Sequence, residues 1–195
     1  MKINFLKHFH VALFSILLFS TQIYSQENDE AMMREYMRLA QPGPAHEMLK
    51  KFEGKWDITY YWYTDPNKEP IVTTASGETK MILGDRFLEL TSIGEAMGQV
   101  IESMTIMGHD NRTGKHTLYS FDTMGTYALN AEGDYDEEQK LITYNGTNFE
   151  PAMGRDVDYK IIWYLGNEDE YNVDILFELE EGTYTKVMEL RGNRI

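Results

Sequence analysis

The feature that most constrains this chain is a period-two alternation of apolar and polar residues that recurs from Lys55 to Arg191. The alternating segments are rich in Tyr, Trp, Ile, Val, Thr and Phe, and Gly, Asp, Asn or Pro interrupt them about every ten residues, which is typical of consecutive β-strands joined by turns. Ten strands are predicted, at residues 55–64, 70–83, 86–93, 100–109, 115–123, 126–135, 140–149, 157–165, 170–180 and 183–191.

The connections between these strands are short, and this determines the topology. Loops of about two to five residues join antiparallel neighbours, whereas parallel neighbours need a long crossover. Gly84–Asp85 and Met124–Gly125 resemble two-residue turns, and residues 110–114 end on a glycine suited to positive φ. An open sheet of this size would expose two edges, so we expect a closed, ten-stranded up-and-down antiparallel β-barrel. A two-sheet sandwich is the alternative.

A polar, partly helical segment is predicted before the barrel, at residues 26–43. Its apolar residues have the spacing of a weakly amphipathic helix: Met32, Met33, Tyr36, Met37 and Leu39. Pro42–Gly43–Pro44 interrupts this pattern, and a second short helix is expected from Ala45 to Phe52. The barrel domain is therefore expected at residues 44–195.

The N-terminal residues resemble a secretory signal peptide. Lys2 and Lys7 flank the start of an apolar run at residues 11–19, and small Ser25 precedes polar Gln26. An uncleaved anchor is the alternative, but the run is shorter than the roughly 20 residues that a membrane span needs. We expect residues 1–25 to be removed, leaving an exported periplasmic or extracellular protein with no integral membrane span.

The composition argues against nucleic-acid binding and excludes disulfide bonds. The formal net charge of the chain is −14, and it becomes −16 without residues 1–25, which hold two lysines and no acid. Nucleic-acid binding is not expected, because it needs clustered Lys and Arg. The chain has no cysteine, so disulfides cannot support the fold of an exported protein.

Two groups of motifs resemble known families. Residues 52–56, Phe-Glu-Gly-Lys-Trp, resemble the Gly-x-Trp opening of calycin barrels, the lipocalin and fatty-acid-binding superfamily, in which the Trp closes one end. Further motifs resemble the uncharacterised bacterial domain of unknown function number fifteen seventy-nine over about residues 44–194; they lie at 81–88, 108–115, 121–126, 188–190 and Arg194. His109 departs from this pattern, where a Tyr is expected. The resemblance implies a calycin-like barrel and no established activity.

The resemblance also implies a structural latch at the closed end of the barrel. In calycin-like barrels a basic residue of the last strand lies across the Trp, here Trp56. Arg194 fits the terminal pattern of the family, and Arg191 is the alternate. A cation over an indole ring contributes roughly 0.5 to 2 kcal/mol. The latch is thus expected to stabilise the fold and not to bind a ligand.

One group of polar side chains could support binding or acid–base chemistry: Glu102, His109, Asp110, His116 and Asp122. No metal site is expected, because the spacings match no zinc pattern and turn formation accounts for Asp110. If the even-numbered residues of the fourth and fifth strands face inward, Glu102, His116 and Asp122 form a polar floor in an apolar cavity. In the opposite register all three are solvated.

Large apolar residues would supply the rest of such a cavity. Ten strands leave room for a small ligand, and we expect four side chains to line it: Trp62, Met104, Tyr119 and Trp163. Core packing is the alternative role for the aromatic residues. The sequence has no nucleophile-elbow motif. No cofactor is expected, because a phosphate-binding loop is lacking and His116 is too early for a haem ligand of the ten-stranded haem barrels.

These observations favour an exported barrel that binds a small, largely apolar molecule. Two alternatives remain open from the sequence. One is an enzyme, an isomerase or hydrolase with a carboxylate–histidine pair in the lumen. The other is a protein-interaction module with a filled barrel.

Overall fold

The computed structural model describes residues 28–65 and 67–195. These residues belong to two compact units, the first ending at Gln41 and the second spanning Pro42–Ile195. In the first unit, residues 28–39 form helix α1. The predicted signal peptide lies outside the described residues. In the described ranges, no helix has both the length and the apolar character needed to cross a membrane.

The second unit consists of one short helix followed by ten strands. Helix α2 spans Pro44–Lys50; its first residue is a proline, whose fixed φ and missing N–H suit the first helical position. The strands are β1 Gly54–Trp62, β2 Ile71–Ile82, β3 Phe87–Ala96, β4 Gln99–Asp110, β5 Lys115–Asp122, β6 Leu129–Asp136, β7 Leu141–Glu150, β8 Arg155–Asn167, β9 Glu170–Glu180 and β10 Thr183–Arg194.

The ten strands close into one up-and-down antiparallel barrel. Strand β1 pairs with β2 on one side and with β10 on the other, and the register of the closing pair runs from Trp56 opposite Arg194 to Trp62 opposite Met188. The other ladders join strands that are neighbours in sequence. The predicted fold is therefore confirmed, and the two-sheet sandwich is wrong, because closure leaves no unpaired edge between β1 and β10.

Some connections differ from the predicted turns. The β2–β3 connection comprises residues 83–86 instead of two residues, and the β5–β6 connection comprises residues 123–128. In contrast, β3 extends beyond Gly94 to Ala96, and a two-residue turn joins it to β4. Met97 and Gly98 in that turn have φ of 54° and 75°, as a type I′ hairpin requires.

Apolar side chains of α2, of the α2–β1 connection and of β1 close one end of the barrel. Leu49, Phe52 and Trp56 are 0%, 4% and 0% exposed. The Trp56 indole N–H donates to the Phe52 carbonyl (3.3 Å) and to Thr79 Oγ1 (2.9 Å), so the buried indole keeps its hydrogen bonds. We call this the closed end; the opposite ends of the strands form the open end.

The barrel interior is filled unevenly. On the β7 and β8 side, Ile142, Tyr144, Val157 and Tyr159 are almost completely buried. The Tyr159 hydroxyl donates to the carbonyl of Asn130 (2.7 Å) and accepts from its N–H (2.9 Å), which fixes the ring inside the barrel. The space not filled by these side chains is bordered mainly by β1–β5 and by β8–β10.

Candidate functional site

A cavity of about 170 Å³ occupies the lumen. It extends from Phe52 at the closed end to Trp62, Asp122 and Met124 at the open end, where Asp122 and Met124 are exposed. An engineered apolar cavity of about 150 Å³ holds benzene. The lumen therefore has room for a molecule built around a single ring.

Most of the cavity wall is apolar. Nine strands contribute lining residues, and the apolar ones include Leu90, Ile101, Met107, Leu118, Ile161, Val173, Ile175, Met188 and Leu190. Aromatic rings form its inner end: the Phe52 and Trp163 centroids are 5.0 Å apart, and Tyr171 meets Trp163 edge to face at 6.2 Å. This surface suits an apolar ligand.

Hydroxyl groups form a polar stripe on one side of the cavity. The hydroxyl stripe comprises Ser92 on β3, Ser103 and Thr105 on β4, and Ser120 on β5. Ser92 and Ser103 lie directly opposite in the register, as do Thr105 and Ser120, and their hydroxyl oxygens are 2.8 and 2.9 Å apart. The Tyr60 hydroxyl is 3.1 Å from Ser92 Oγ and extends the stripe. Burial raises the pKa of Tyr60, so its hydroxyl stays a neutral donor.

Asp122 ends the hydroxyl stripe at the mouth of the cavity. It lies opposite Ser103 in the β4–β5 ladder and two residues after Ser120 on β5, so its side chain follows the stripe on the same face. Its Oδ1 accepts the N–H of Met124 at 2.8 Å. The carboxylate is exposed and borders the cavity. Asp122 thus stabilises the turn after β5 and also lies at the entrance of the cavity.

Three histidines pack near the closed end, away from the cavity. The His109 ring lies 4.8 Å from His116 and 5.8 Å from His46 of α2. Burial is the main cause that lowers the pKa of His116 to about 4, with His109 and His46 adding to the effect, and burial likewise lowers the pKa of His46. In the part of the chain that the structure describes, no group of three or more acidic or histidine side chains is arranged to hold a metal ion.

Comparison with known families identifies the barrel. The family model described as Protein of unknown function (DUF1579) matches residues 41–194. The chain belongs to the DUF1579 family. The resemblance predicted from the sequence motifs is confirmed, and so is the barrel that it implied.

Comparison with solved structures supports the fold of this DUF1579 chain. A crystal structure of Rv2717c from M. tuberculosis matches with a TM-score of 0.55 and 15% sequence identity, covering 80% of this chain and 99% of that one. A redesigned β-barrel matches with a TM-score of 0.38 and 11% identity over 76% of this chain and 95% of that one. A comparison with curated proteins finds no significant match.

Three of the residues predicted to line the lumen do so in the DUF1579 barrel: Trp62, Asp122 and Trp163. The Trp62 indole N–H donates to Thr73 Oγ1 at 2.9 Å. Trp163 is 4% exposed, and its indole N–H has no hydrogen-bond partner among the described residues. The Tyr171 hydroxyl, next to it, is also without one. Their role in binding a ligand stays a prediction.

The predicted inward orientation of β4 is wrong. Its odd-numbered residues, such as Ser103 and Met107, line the cavity, so Glu102 and Met104 lie on the outer wall and are exposed. Tyr119 on β5 also points outward and is 44% exposed. The sequence suggested a five-residue loop at 110–114, whereas Asp110 pairs with Lys115 across a four-residue loop. This one-residue difference reverses every side chain of one strand relative to the other.

The predicted carboxylate–histidine pair is also absent. His116 is inside the barrel and 3% exposed, but Asp122 is six residues further along the same strand. At about 3.3 Å per residue the two side chains are about 20 Å apart, and Glu102 faces the other side of the wall. The predicted polar floor of Glu102, His116 and Asp122 is therefore not formed.

The arginine contact implied by the family is present at the closed end. The Arg194 guanidinium lies 4.5 Å from the centroid of the Trp56 ring. Arg191, the alternate, instead lies 4.8 Å from the Tyr61 ring and pairs with Glu189 at 2.6 Å. Arg191 is therefore on the outer wall, and the contact with Trp56 belongs to Arg194.

The hydroxyl stripe was not predicted from the sequence. Its residues are small and polar, so they do not stand out in a pattern of apolar alternation. A recognisable signal exists, because Ser92, Ser103, Thr105 and Ser120 lie on three consecutive strands. Residues that face each other across two hairpins form a single surface. A search for hydroxyls in register would have found them.

Proposed function

We propose that this DUF1579 chain is an exported barrel that binds one small, largely apolar molecule in its lumen. The observation that carries the proposal is the cavity of about 170 Å³, apolar on most of its wall and polar along the hydroxyl stripe. Ligand pockets in proteins combine an apolar lining with a few placed polar groups in this way.

The cavity results from small side chains where neighbouring strands meet. Ala75 on β2 lies directly opposite Gly94 on β3, and Ser103 and Ser120 face the same space. Protein interiors are normally packed without voids, and the β7–β8 side of this barrel follows that rule with Tyr144 and Tyr159. An open space bounded by small residues in an otherwise dense core is what a binding site requires.

The hydroxyl stripe also has hydrogen-bonding capacity to offer. Tyr60, Ser92 and Ser103 carry three O–H donors between them, and the two contacts that join them use two donors. Thr105 and Ser120 likewise share one contact between two donors. A ligand with one polar group could therefore bond to the stripe while its apolar body contacts the opposite wall.

The proposal is tested by filling the lumen. Ala75→Phe places a ring in the cavity, because Ala75 is part of the cavity wall. Ser76→Phe, one residue later, is the matched control, because Ser76 is exposed on the outer wall. Binding is measured by NMR titration of residues 26–195 with benzyl alcohol, whose single ring matches the cavity size.

We expect chemical-shift changes confined to lumen residues in the wild-type protein. Ala75→Phe should weaken binding at least about tenfold, since the ligand then competes with a covalently attached ring, and Ser76→Phe should leave it unchanged. Equal binding by both variants would refute a lumen site. Spectra of the two free variants show whether each is folded.

Export is the second part of the proposal. It is supported by Lys2 and Lys7, the apolar run at residues 11–19 and small Ser25. Expression of the full chain in a Gram-negative host, followed by fractionation and mass spectrometry, should recover a periplasmic protein that begins at Gln26. Recovery of the uncleaved chain in the cytoplasm would refute export.

A further inference from the structure

The charge of the cavity limits which polar group its ligand can carry. Among the described residues that line it, none is Lys, Arg or His, and two are acidic, Glu95 and Asp122. Gly94 and Ala96 face the lumen, so the side chain of Glu95 between them points outward. Its carboxylate adds negative charge at the rim of the cavity. A carboxylate ligand would thus be desolvated without a cation to pair with it.

Asp122 has oxygen-bearing neighbours that suit a positive group. Directly opposite residues of an antiparallel pair have Cβ atoms about 5 Å apart, so Ser103 is in reach of a group bound to Asp122. Ser120 lies two residues away on the same face. An ammonium has three donors and no acceptor, and this corner of the cavity offers a carboxylate and hydroxyl oxygens.

Two aromatic rings line the same cavity as Asp122. Tyr60 and Trp62 both line the cavity and stack with centroids 5.9 Å apart at an interplanar angle of 20°. The hydroxyl of Tyr60 belongs to the network that reaches Ser103 through Ser92. Aromatic rings attract cations, most strongly Trp and Tyr. Rings and a carboxylate together favour a cation over a neutral group.

We propose that the lumen selects an amine: a ligand with a compact apolar body held by the inner wall and an ammonium group bound at the mouth by Asp122 and the adjoining hydroxyls. This inference rests on the proposed function. It names the ligand class, an amine and not a carboxylate, since a carboxylate would need a basic residue in the cavity wall.

The experiment compares three ligands with the same ring and different charge: benzylamine, benzyl alcohol and benzoate. Dissociation constants are measured by NMR titration of residues 26–195 at pH 7 and fixed ionic strength. We expect benzylamine to bind more tightly than benzyl alcohol by up to about fivefold, the upper end of the range for an exposed charge pair. Benzoate should bind more weakly than either.

Two variants separate the Asp122 carboxylate from the overall charge. Asp122→Asn removes the charge and keeps an oxygen that can accept the Met124 N–H, so the turn is preserved. Glu102→Gln is the matched control, because it makes the same change in net charge on the exposed outer wall of β4. Benzylamine should lose its advantage over benzyl alcohol in Asp122→Asn and keep it in Glu102→Gln.

The possible outcomes distinguish this inference from the proposed function. If benzyl alcohol binds and benzylamine gains nothing, or Asp122→Asn retains the full preference, amine selection is refuted and lumen binding stands. If Glu102→Gln abolishes the preference as Asp122→Asn does, the effect comes from net charge and the inference is refuted. If none of the three ligands binds, both proposals are refuted.

Discussion

Replacing Arg194 should reveal how much the closed end contributes to stability. Its guanidinium covers the Trp56 ring and forms an ion pair with Asp169 at 3.2 Å. Its N–H groups also donate to three backbone carbonyls, those of Lys51, Glu53 and Glu168. One side chain thus joins the α2–β1 connection, the β8–β9 turn and the last strand. Arg194→Ala removes all of these contacts together.

The cost of this change can be worked from the contacts. The cation–π contact contributes about 0.5–2 kcal/mol. A hydrogen bond from a charged donor contributes about 1.5–3 kcal/mol, but the Arg194 side chain is 24% exposed, so water replaces part of what the carbonyls lose. We therefore expect a loss of about 3 kcal/mol in the free energy of unfolding. In a domain of this size that lowers the Tm by about 6–12 °C.

Urea and thermal unfolding followed by circular dichroism measure both quantities. Arg194→Lys keeps the charge and loses the planar fork, so it should recover at most about half of the loss. Arg155→Ala is the control at the open end, where an exposed arginine donates to the carbonyls of Glu178 and Leu179 at 3.3 Å without covering a ring. An Arg194→Ala protein within about 0.5 kcal/mol of Arg155→Ala would refute the latch.

Two further changes test the buried polar groups. Tyr144→Phe removes a buried hydroxyl that has no partner among the described residues, so it should leave stability unchanged or raise it by up to about 1 kcal/mol. Tyr159→Phe loses two hydrogen bonds to the backbone and should lower the free energy of unfolding in urea by about 1–3 kcal/mol. Burial lowers the pKa of His116 to about 4, so between pH 6.5 and pH 4 the unfolded state binds more protons than the folded state. As the pH is lowered through this window, the wild type should therefore lose stability relative to His116→Phe, by at most about 1.4 kcal/mol per pH unit. A wild-type advantage that stays constant from pH 7 to pH 4.5 would contradict the assignment of a buried neutral His116.

The barrel could be predicted from the sequence because its signal is repeated and local. Each predicted strand is present within a few residues of its expected bounds, and residues 157–165 show why. Val157, Tyr159, Ile161, Trp163 and Leu165 are buried, and the residues between them are polar or half-buried. Short connections then leave an antiparallel barrel as the arrangement that pairs every strand.

The orientation of β4 could not be predicted, because one residue at its end decides it. Asp110 has the composition of a turn residue, and its Oδ1 does accept the N–H of Arg112 at 2.8 Å. The Arg112 guanidinium also lowers the pKa of Asp110 to about 2. Yet the backbone of Asp110 remains in the ladder opposite Lys115. When a turn-forming residue such as Asp110 remains in the strand, the pairing of β4 with β5 shifts by one residue relative to the predicted pairing. The residue type alone does not reveal this shift.

The pattern of apolar and polar residues within β4 does not show which face of the strand points inward. Both faces of the strand carry apolar residues, Ile101 and Met107 inside and Met104 outside, while Ser103 and Thr105 face the lumen. A strand selected for packing alone would place its hydroxyls in solvent and its exposed methionine in the core. Departures from such a pattern are expected where a site, and not the fold, sets the residue. The departure of β4 from the apolar-inside pattern is therefore consistent with the proposal that the lumen binds a ligand.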